Sequence, residues 1–296
     1  MIDRLYKLMW LVLYILASIY ETFCYLKLRL QAFILWSYDL WHSSAAITRR
    51  DRAFLQSCKA ELTKLPQHLN LIIGPDPLVS VSEAVVGRIL LYAQIIGIEC
   101  VSLYDVRENM GHIVLERVFM SQDAFWRELQ PNQYEWGLRE CPSKAPIKYE
   151  SDSNGCARNG TTSENGNVCN GDAYHNKIQT PLKIYQVTEQ DNRPLIVKIC
   201  RKLFQERKTS NVQNILGDRK QLEQYISDEV AQHMQWKFVD PELSIIFNRD
   251  TCTFGMLPWQ TRFTEFHTFE TGRCVNAESF AKVLYKYSKC EQRWGK

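Results

Sequence analysis

Between Leu69 and Tyr104 the apolar pattern changes period twice, and that change fixes the fold class. Leu69 to Ile73 is a short, mostly apolar run stopped by Gly74-Pro75-Asp76-Pro77. It reads as a buried strand followed by a sharp turn. Val81 to Ile96 carries aliphatics at helical spacing and ends at Gly97, a residue suited to a helix C-cap. Ile98 to Tyr104 is then a second strand. Strand, helix and strand at this spacing make a βαβ unit, which requires a parallel sheet.

The rest of the chain extends that pattern. Ile113 to Leu129 reads as a helix with Val114, Val118, Phe125 and Leu129 on its apolar side. Leu182 to Val187, Leu195 to Cys200 and Leu243 to Phe247 are expected strands. Asp218 to Gln235 is the clearest helix. Its Leu222, Tyr225, Ile226, Glu229, Val230, His233 and Met234 recur at helical spacing, with Asp218 to cap the start and Gln221 at the reciprocal position. Phe280, Val283, Leu284 and Tyr287 mark a closing helix. The expected architecture is α/β: a central, mostly parallel sheet flanked by helices, in a domain over residues 61–296. Cys141 to Thr180 interrupts it with Ser, Asn, Gly and Lys and few large apolar residues. Such a stretch buries too little surface to offset ordering and reads as a flexible insertion at about 141–180. It includes the sequon Asn159-Gly160-Thr161, which a cytosolic loop leaves unmodified.

The amino terminus, residues 1–60, reads as a membrane anchor and juxtamembrane segment. Leu8 to Leu26 is apolar except at Glu21. As a helix it is about 28 Å long, close to the ~30 Å hydrocarbon core. A cleaved signal peptide is the rival reading, but no small-x-small cleavage site follows; Tyr20, Glu21 and Phe23 stand there instead. Basic residues are more numerous after the span (Lys27, Arg29, Arg49, Arg50, Arg52) than before it (Arg4, Lys7), which favours a cytosolic C-terminal side. Phe33 to Trp41, rich in aromatics, either lies in the membrane interface or packs on the soluble domain.

A net charge of +3 predicts no nucleic-acid partner. Ten cysteines lack any CxxC pair or zinc spacing, so no metal site is expected and the thiols read as free in a reducing compartment. His68, His112, His233 and His267 are isolated and read as structural or surface residues.

Several segments together resemble the Nogo-B receptor family, the non-catalytic accessory subunits of eukaryotic cis-prenyltransferases. Leu65-Pro66-Gln67-His68-Leu69 resembles the approach to its first strand, and Gly97-Ile98 through Leu103-Tyr104-Asp105 its second. Asp240-Pro241-Glu242-Leu243 leads to Gly255-Met256-Leu257-Pro258-Trp259-Gln260-Thr261-Arg262-Phe263-Thr264-Glu265, similar to the family's Leu-Pro-Trp…Arg-x-Thr-Glu block. Cys290-Glu291-Gln292-Arg293-Trp294-Gly295-Lys296 matches its terminal Arg-x-Gly signature, with Trp294 where Leu is usual. The resemblance implies a cis-prenyltransferase (undecaprenyl diphosphate synthase-like) fold after one transmembrane helix. It implies a single-pass protein of the endoplasmic reticulum membrane with its domain in the cytosol, and a heteromer with a catalytic subunit that joins isopentenyl to farnesyl diphosphate. The product is the polyprenyl diphosphate precursor of dolichol for protein glycosylation. Mg²⁺ is expected in the partner's site, with no ligand from this chain.

Catalytic cis-prenyltransferases carry Asp-Gly-Asn-x-Arg after the first strand, a loop whose free N–H groups cradle phosphate. Here Gly74-Pro75-Asp76-Pro77 puts two prolines, which lack that donor, in its place. Asp76 reads as a turn residue. The late Arg-x-Ser…Arg-x-Ser stretch is reduced to Arg249 beside Asp250. Both phosphate sites therefore read as degraded and the chain alone as inactive. The family resemblance instead assigns function to Arg293 and Gly295, with Trp294, in a tail that enters the partner's active site. It assigns Pro258, Trp259, Arg262 and Glu265 to subunit contact, with Arg262 and Glu265 expected on one helix. Two alternatives are a self-sufficient enzyme using Asp76, and a membrane receptor or lipid-binding scaffold on a dead prenyltransferase fold.

Overall fold

The computed structural model describes residues 2–76, 79, 81–107, 113–120, 134–137, 181–234, 240–270, 272 and 275–291. The chain opens with α1 (Ile2–Trp41) and α2 (Ser44–Glu61). Then come β1 (His68–Ile73), α3 (Glu83–Ile96), β2 (Cys100–Asp105), α4 (Leu115–Met120), β3 (Tyr134–Gly137) and β4 (Leu182–Gln186). Three helices follow, α5 (Arg193–Gln205), α6 (Ser210–Gly217) and α7 (Arg219–Met234). The chain then forms β5 (Leu243–Phe247), β6 (Glu265–Phe269) and α8 (Ala277–Lys289). The six strands make one sheet in the order β3-β4-β2-β1-β5-β6, with every neighbouring pair parallel.

Local chemistry explains the elements that position the site. Ser82 caps α3, its hydroxyl accepting from the Val85 N–H. Gly97 ends the helix in the left-handed region at φ 91°, its N–H donating to the Ala93 and Gln94 carbonyls. Successive residues of β1 point to opposite faces. Leu69, Leu71 and Ile73 join a core with α2, α3 and α8, while Ile72 joins a second core with α5, α6 and α7. The second face also carries a buried polar ladder across three strands. His68 Nε2 meets Ser102 Oγ at 2.9 Å, Ser102 Oγ donates to Asn70 Oδ1 at 2.9 Å, and Asn70 Nδ2 donates to Ser244 Oγ at 3.0 Å. Each member supplies a partner that apolar surroundings deny the others, so the ladder is consistent with burial.

Two expectations are corrected. Leu195 to Cys200 lies in α5, not in a strand. Pro194 starts that helix, and Leu195, Ile199 and Leu203, four residues apart, form its buried stripe. Arg262 and Glu265 do not share a helix. Arg262 lies in a short 3-10 turn (Gln260–Phe263), Thr264 is extended, and Glu265 begins β6. The Asp218 cap forms with a different geometry from the reciprocal one: Asp218 Oδ1 accepts from Lys220 N–H, and Gln221 Nε2 donates to Asp218 Oδ2. Of the helix expected over Ile113 to Leu129, α4 is the described part; Phe125 and Leu129 lie outside the described residues, as does the 141–180 insertion with Asn159. The boundary expected at residue 61 falls after α2, whose Ile47, Leu55 and Cys58 are buried in the domain.

α1 is the one described helix long and apolar enough to cross a membrane. At 40 residues it is about 60 Å long, twice the hydrocarbon core. α8 presses Phe280, fully buried, against the Tyr92 ring of α3 at 5.7 Å. Phe280→Ala is expected to lower unfolding stability by about 3–5 kcal/mol. Thr268→Ala, on the exposed edge strand, is expected to stay within about 0.5 kcal/mol. Denaturant titration of the detergent-solubilised chain measures both.

Candidate functional site

In an open parallel sheet, ligands bind beyond the carboxyl ends of the strands, where the strand order reverses. Here β2 is added on one side of β1 and β5 on the other, so that point lies between β1 and β5. Their register pairs Ile73 with Phe247. The two segments that replace phosphate-binding motifs therefore emerge side by side. Gly74 N–H donates to the Phe247 carbonyl at 3.0 Å. A Cβ on Gly74 would lie 2.6 Å from Asn248 Oδ1, so the asparagine side chain occupies the space above the glycine backbone. Asn248 is held by donating to the Asp250 carbonyl at 3.0 Å.

Asp76 and Arg249 meet each other. The Arg249 Nε–H donates to Asp76 Oδ2 in an ion pair. The contact with Asp76 pushes the guanidinium pKa further up. Each residue removes the other from use. A carboxylate held by guanidinium is a poor Mg²⁺ ligand, and a guanidinium held by carboxylate is a poor phosphate clamp. Among the described residues, no three His, Cys, Asp or Glu side chains gather as metal ligands. Among the described residues, this pairing turns both groups toward each other and away from a Mg²⁺–diphosphate.

Beside this point a cleft of about 540 Å³ opens above β2 and β4. Asp105, Arg107, Glu189 and Arg193 give it two charges of each sign. Asp105 is fully engaged: its Oδ1 accepts from Arg107 N–H and Nε–H, and its Oδ2 from Arg107 Nη2 at 2.7 Å and Ile113 N–H at 2.7 Å. That pattern fastens the chain after β2 and leaves no concentrated cradle for an anion.

Arg293, Trp294 and Gly295 lie outside the described residues, but their root does not. α8 runs back from the carboxyl edge of the sheet to its amino edge. Cys290 Sγ donates to Glu265 Oε1 at 2.8 Å, at the start of β6. That hydrogen bond, helped by burial, pushes the Cys290 thiol pKa up. Lys64 Nζ donates to the Cys290 carbonyl at 2.7 Å, and Thr63 Oγ1 to the Ser288 carbonyl at 3.0 Å. Arg293 follows the last described residue, Glu291, by two positions, a Cα reach of roughly 7 Å. The chain's own switch point is a strand length away, roughly 17 Å.

The Pro258 block forms a surface platform. Trp259 Nε1–H donates to Ser227 Oγ of α7 at 3.0 Å. The Arg262 guanidinium lies 4.2 Å above the Trp259 ring, and its Nε–H donates to the Trp259 carbonyl. Pro258 and Phe263 stand exposed beside it. Glu265 is taken up with Cys290 and lies apart from Arg262 in role. Sequence reasoning missed the Asp76–Arg249 pair and the closure of Gly74 by Asn248. Gly74→Ala is expected to cost about 1–3 kcal/mol by overpacking. Adding Asn248→Ala should recover about 1 kcal/mol or more relative to the sum of the single variants, measured as a double-mutant cycle in denaturant.

No family model matches the chain. It is 23% identical over 241 residues to the dehydrodolichyl diphosphate synthase complex subunit Nus1 of Mus musculus, covering 79% of this chain and 67% of the mouse protein. It is 39% identical over 57 residues to the corresponding NUS1 subunit of Homo sapiens, covering 19% of this chain and 20% of the human protein. Among solved structures, a probable undecaprenyl diphosphate synthase from Campylobacter jejuni overlaps 79% of this chain and all of its own, at a TM-score of 0.43 and 12% identity.

Proposed function

We propose that this chain, a relative of the Nogo-B receptor family and its Nus1 subunits, is the non-catalytic subunit of a dehydrodolichyl diphosphate synthase complex. The observation that carries the reading is the Asp76–Arg249 pair. The carboxylate and the cation left over from two phosphate-binding motifs neutralise each other. The chain therefore contributes from elsewhere. Its tail follows α8, whose end is rooted at the amino edge of the sheet, a strand length from the switch point between β1 and β5 and a position from which a tail can serve a neighbour.

The chemistry of that service follows from the residues. Arg293 offers a planar, permanently charged fork to diphosphate oxygens. Gly295 lets main-chain N–H groups approach the same anion closely. Trp294 between them lends the tail an apolar anchor. Charge develops on the diphosphate as it leaves farnesyl or a longer allylic chain during attack by isopentenyl diphosphate. Donors already in position stabilise that charge. Mg²⁺, held by the partner's acidic residues, supplies the remaining positive charge. The Trp259 platform, with Pro258 and Arg262, serves the subunit contact, while Glu265 holds the end of α8; an aromatic stacked with arginine and flanked by exposed apolar groups is a typical hot spot. α1 anchors the assembly in the endoplasmic reticulum membrane with the domain on the cytosolic side.

Co-purification with the catalytic partner, followed by a prenyl-transfer assay, tests the reading. The chain alone is expected to be inactive and the pair to make polyprenyl diphosphate. Arg293→Ala is expected to lower kcat about 100-fold while the complex stays assembled. Full turnover without residues 293–296 removes the tail from the mechanism. Activity of the isolated chain that disappears in Asp76→Ala makes it a self-sufficient enzyme instead. Trp259→Ala is expected to weaken subunit association by about 2 kcal/mol, read as a roughly 30-fold rise in Kd.

A further inference from the structure

α1 outlasts any bilayer, and its side chains are sorted around its axis along the second half. One stripe, Cys24, Leu28, Ala32, Leu35 and Asp39, is partly covered by the domain. At 3.6 residues per turn these fall within about 80° of arc. Glu21 lies on the same stripe and within electrostatic range of Arg249 at the carboxyl edge of the sheet. Asp39 accepts from Arg88 of α3 at 3.0 Å. Both acidic residues of this half thus turn toward the domain.

The opposite side is apolar. Leu26, Leu30, Ile34, Leu40 and Trp41 are each more than half exposed and share about 120° of arc, interrupted by Ser37, whose hydroxyl donates to the Ile34 carbonyl. Lys27 and Arg29 fall just outside the two edges of that arc, one on each side. The stripe is continuous with the membrane-crossing segment, with no Pro, Gly or break between them. If α1 stood upright with Leu8 to Leu26 in the hydrocarbon, Trp41 would sit about 22 Å beyond it in water.

We propose that the outer face of α1 from Leu26 to Trp41 is sunk in the membrane interface, so that the domain rests against the bilayer instead of standing off on a stalk. The arrangement is that of an interfacial helix: large apolar side chains enter the acyl boundary, and flanking cations extend to lipid phosphates. Asp39 is charge-compensated by Arg88, and Glu21 lies on the same side, toward Arg249 and away from the outer face. Because α1 is one unbroken helix, it must then incline well beyond the ~20° usual for a membrane span. The carboxyl edge of the sheet, near Glu21, is drawn toward the membrane. The tail root, at the other edge, is held away from it.

The test uses the full chain in liposomes of neutral and anionic phospholipid. All cysteines except buried Cys58 and Cys100 are replaced by Ser. A nitroxide is placed in turn at Leu30, Ile34 and Leu40, with Leu35 as a domain-facing control. Power saturation reads collision with oxygen, which concentrates in lipid, against a water-soluble nickel chelate. The three outer sites are expected to favour oxygen severalfold, and Leu35 to be shielded from both. Nickel access at the outer sites means a solvated stalk and overturns the proposal. Shielding from both reagents at those sites means that a second protein surface covers the face, and overturns it equally.

Discussion

A parallel sheet has two unlike edges, because every strand delivers its carboxyl end to the same side. In this chain that asymmetry sets where everything else is found. The six strands bring the segments after β1 and β5 together at one edge, and the return helix α8 leaves Cys290 at the other. The length of the strands holds the two edges apart, and helices packed on both faces in two separate cores keep the sheet rigid. A group at one edge cannot serve the other without several residues of free chain. That constraint separates the vestigial pocket from the tail and makes them independent parts.

At the carboxyl edge, a carboxylate and a guanidinium from the segments after β1 and β5 turn to each other. Arg249 remains largely in solvent, so its pairing with Asp76 contributes little to stability. The consequence of the pair is chemical: it lowers the field that would draw an anion to this edge. Asn248 over Gly74 completes the closure sterically. The buried ladder from His68 to Ser244 is different. It lies inside the sheet, and removing one member leaves a buried partner unsatisfied, a loss of about 1–3 kcal/mol.

The parts of the fold that could be read from the sequence are those with a clean local signature. α3 has a serine cap, an aliphatic run and a left-handed glycine, and the strands on either side of it are short and apolar. α5 was misread because Leu195 to Cys200 is nearly all apolar, and a short run does not reveal its period. Only Pro194 at the start and Leu203 beyond the run betray the helix. β6 was missed because a half-exposed edge strand needs little apolar character. The β3 strand, four residues long, gives too short a window for any period. The Asp76–Arg249 pair joins residues far apart in sequence. Yet once β1 and β5 are placed side by side, the register of Ile73 with Phe247 puts both a few residues past the same point.

The division of labour also has a physical reason to persist. A catalytic pocket needs charges held unpaired and backbone groups held open, arrangements that weaken a fold. A subunit that has closed its own pocket is released from that demand. It can keep the same sheet as a rigid support, bear the membrane helix on one side and present the Trp259 platform on another. On the proposed reading, what it gives the partner is carried by a few residues beyond α8, whose helix is capped by Asn276 and packed through Phe280, Leu284 and Tyr287. The rigid part fixes where the tail begins, and the short reach from Cys290 limits where it can go. Precision in the donated groups thus depends on α8 and its anchors at Lys64 and Glu265 more than on any feature of the tail itself.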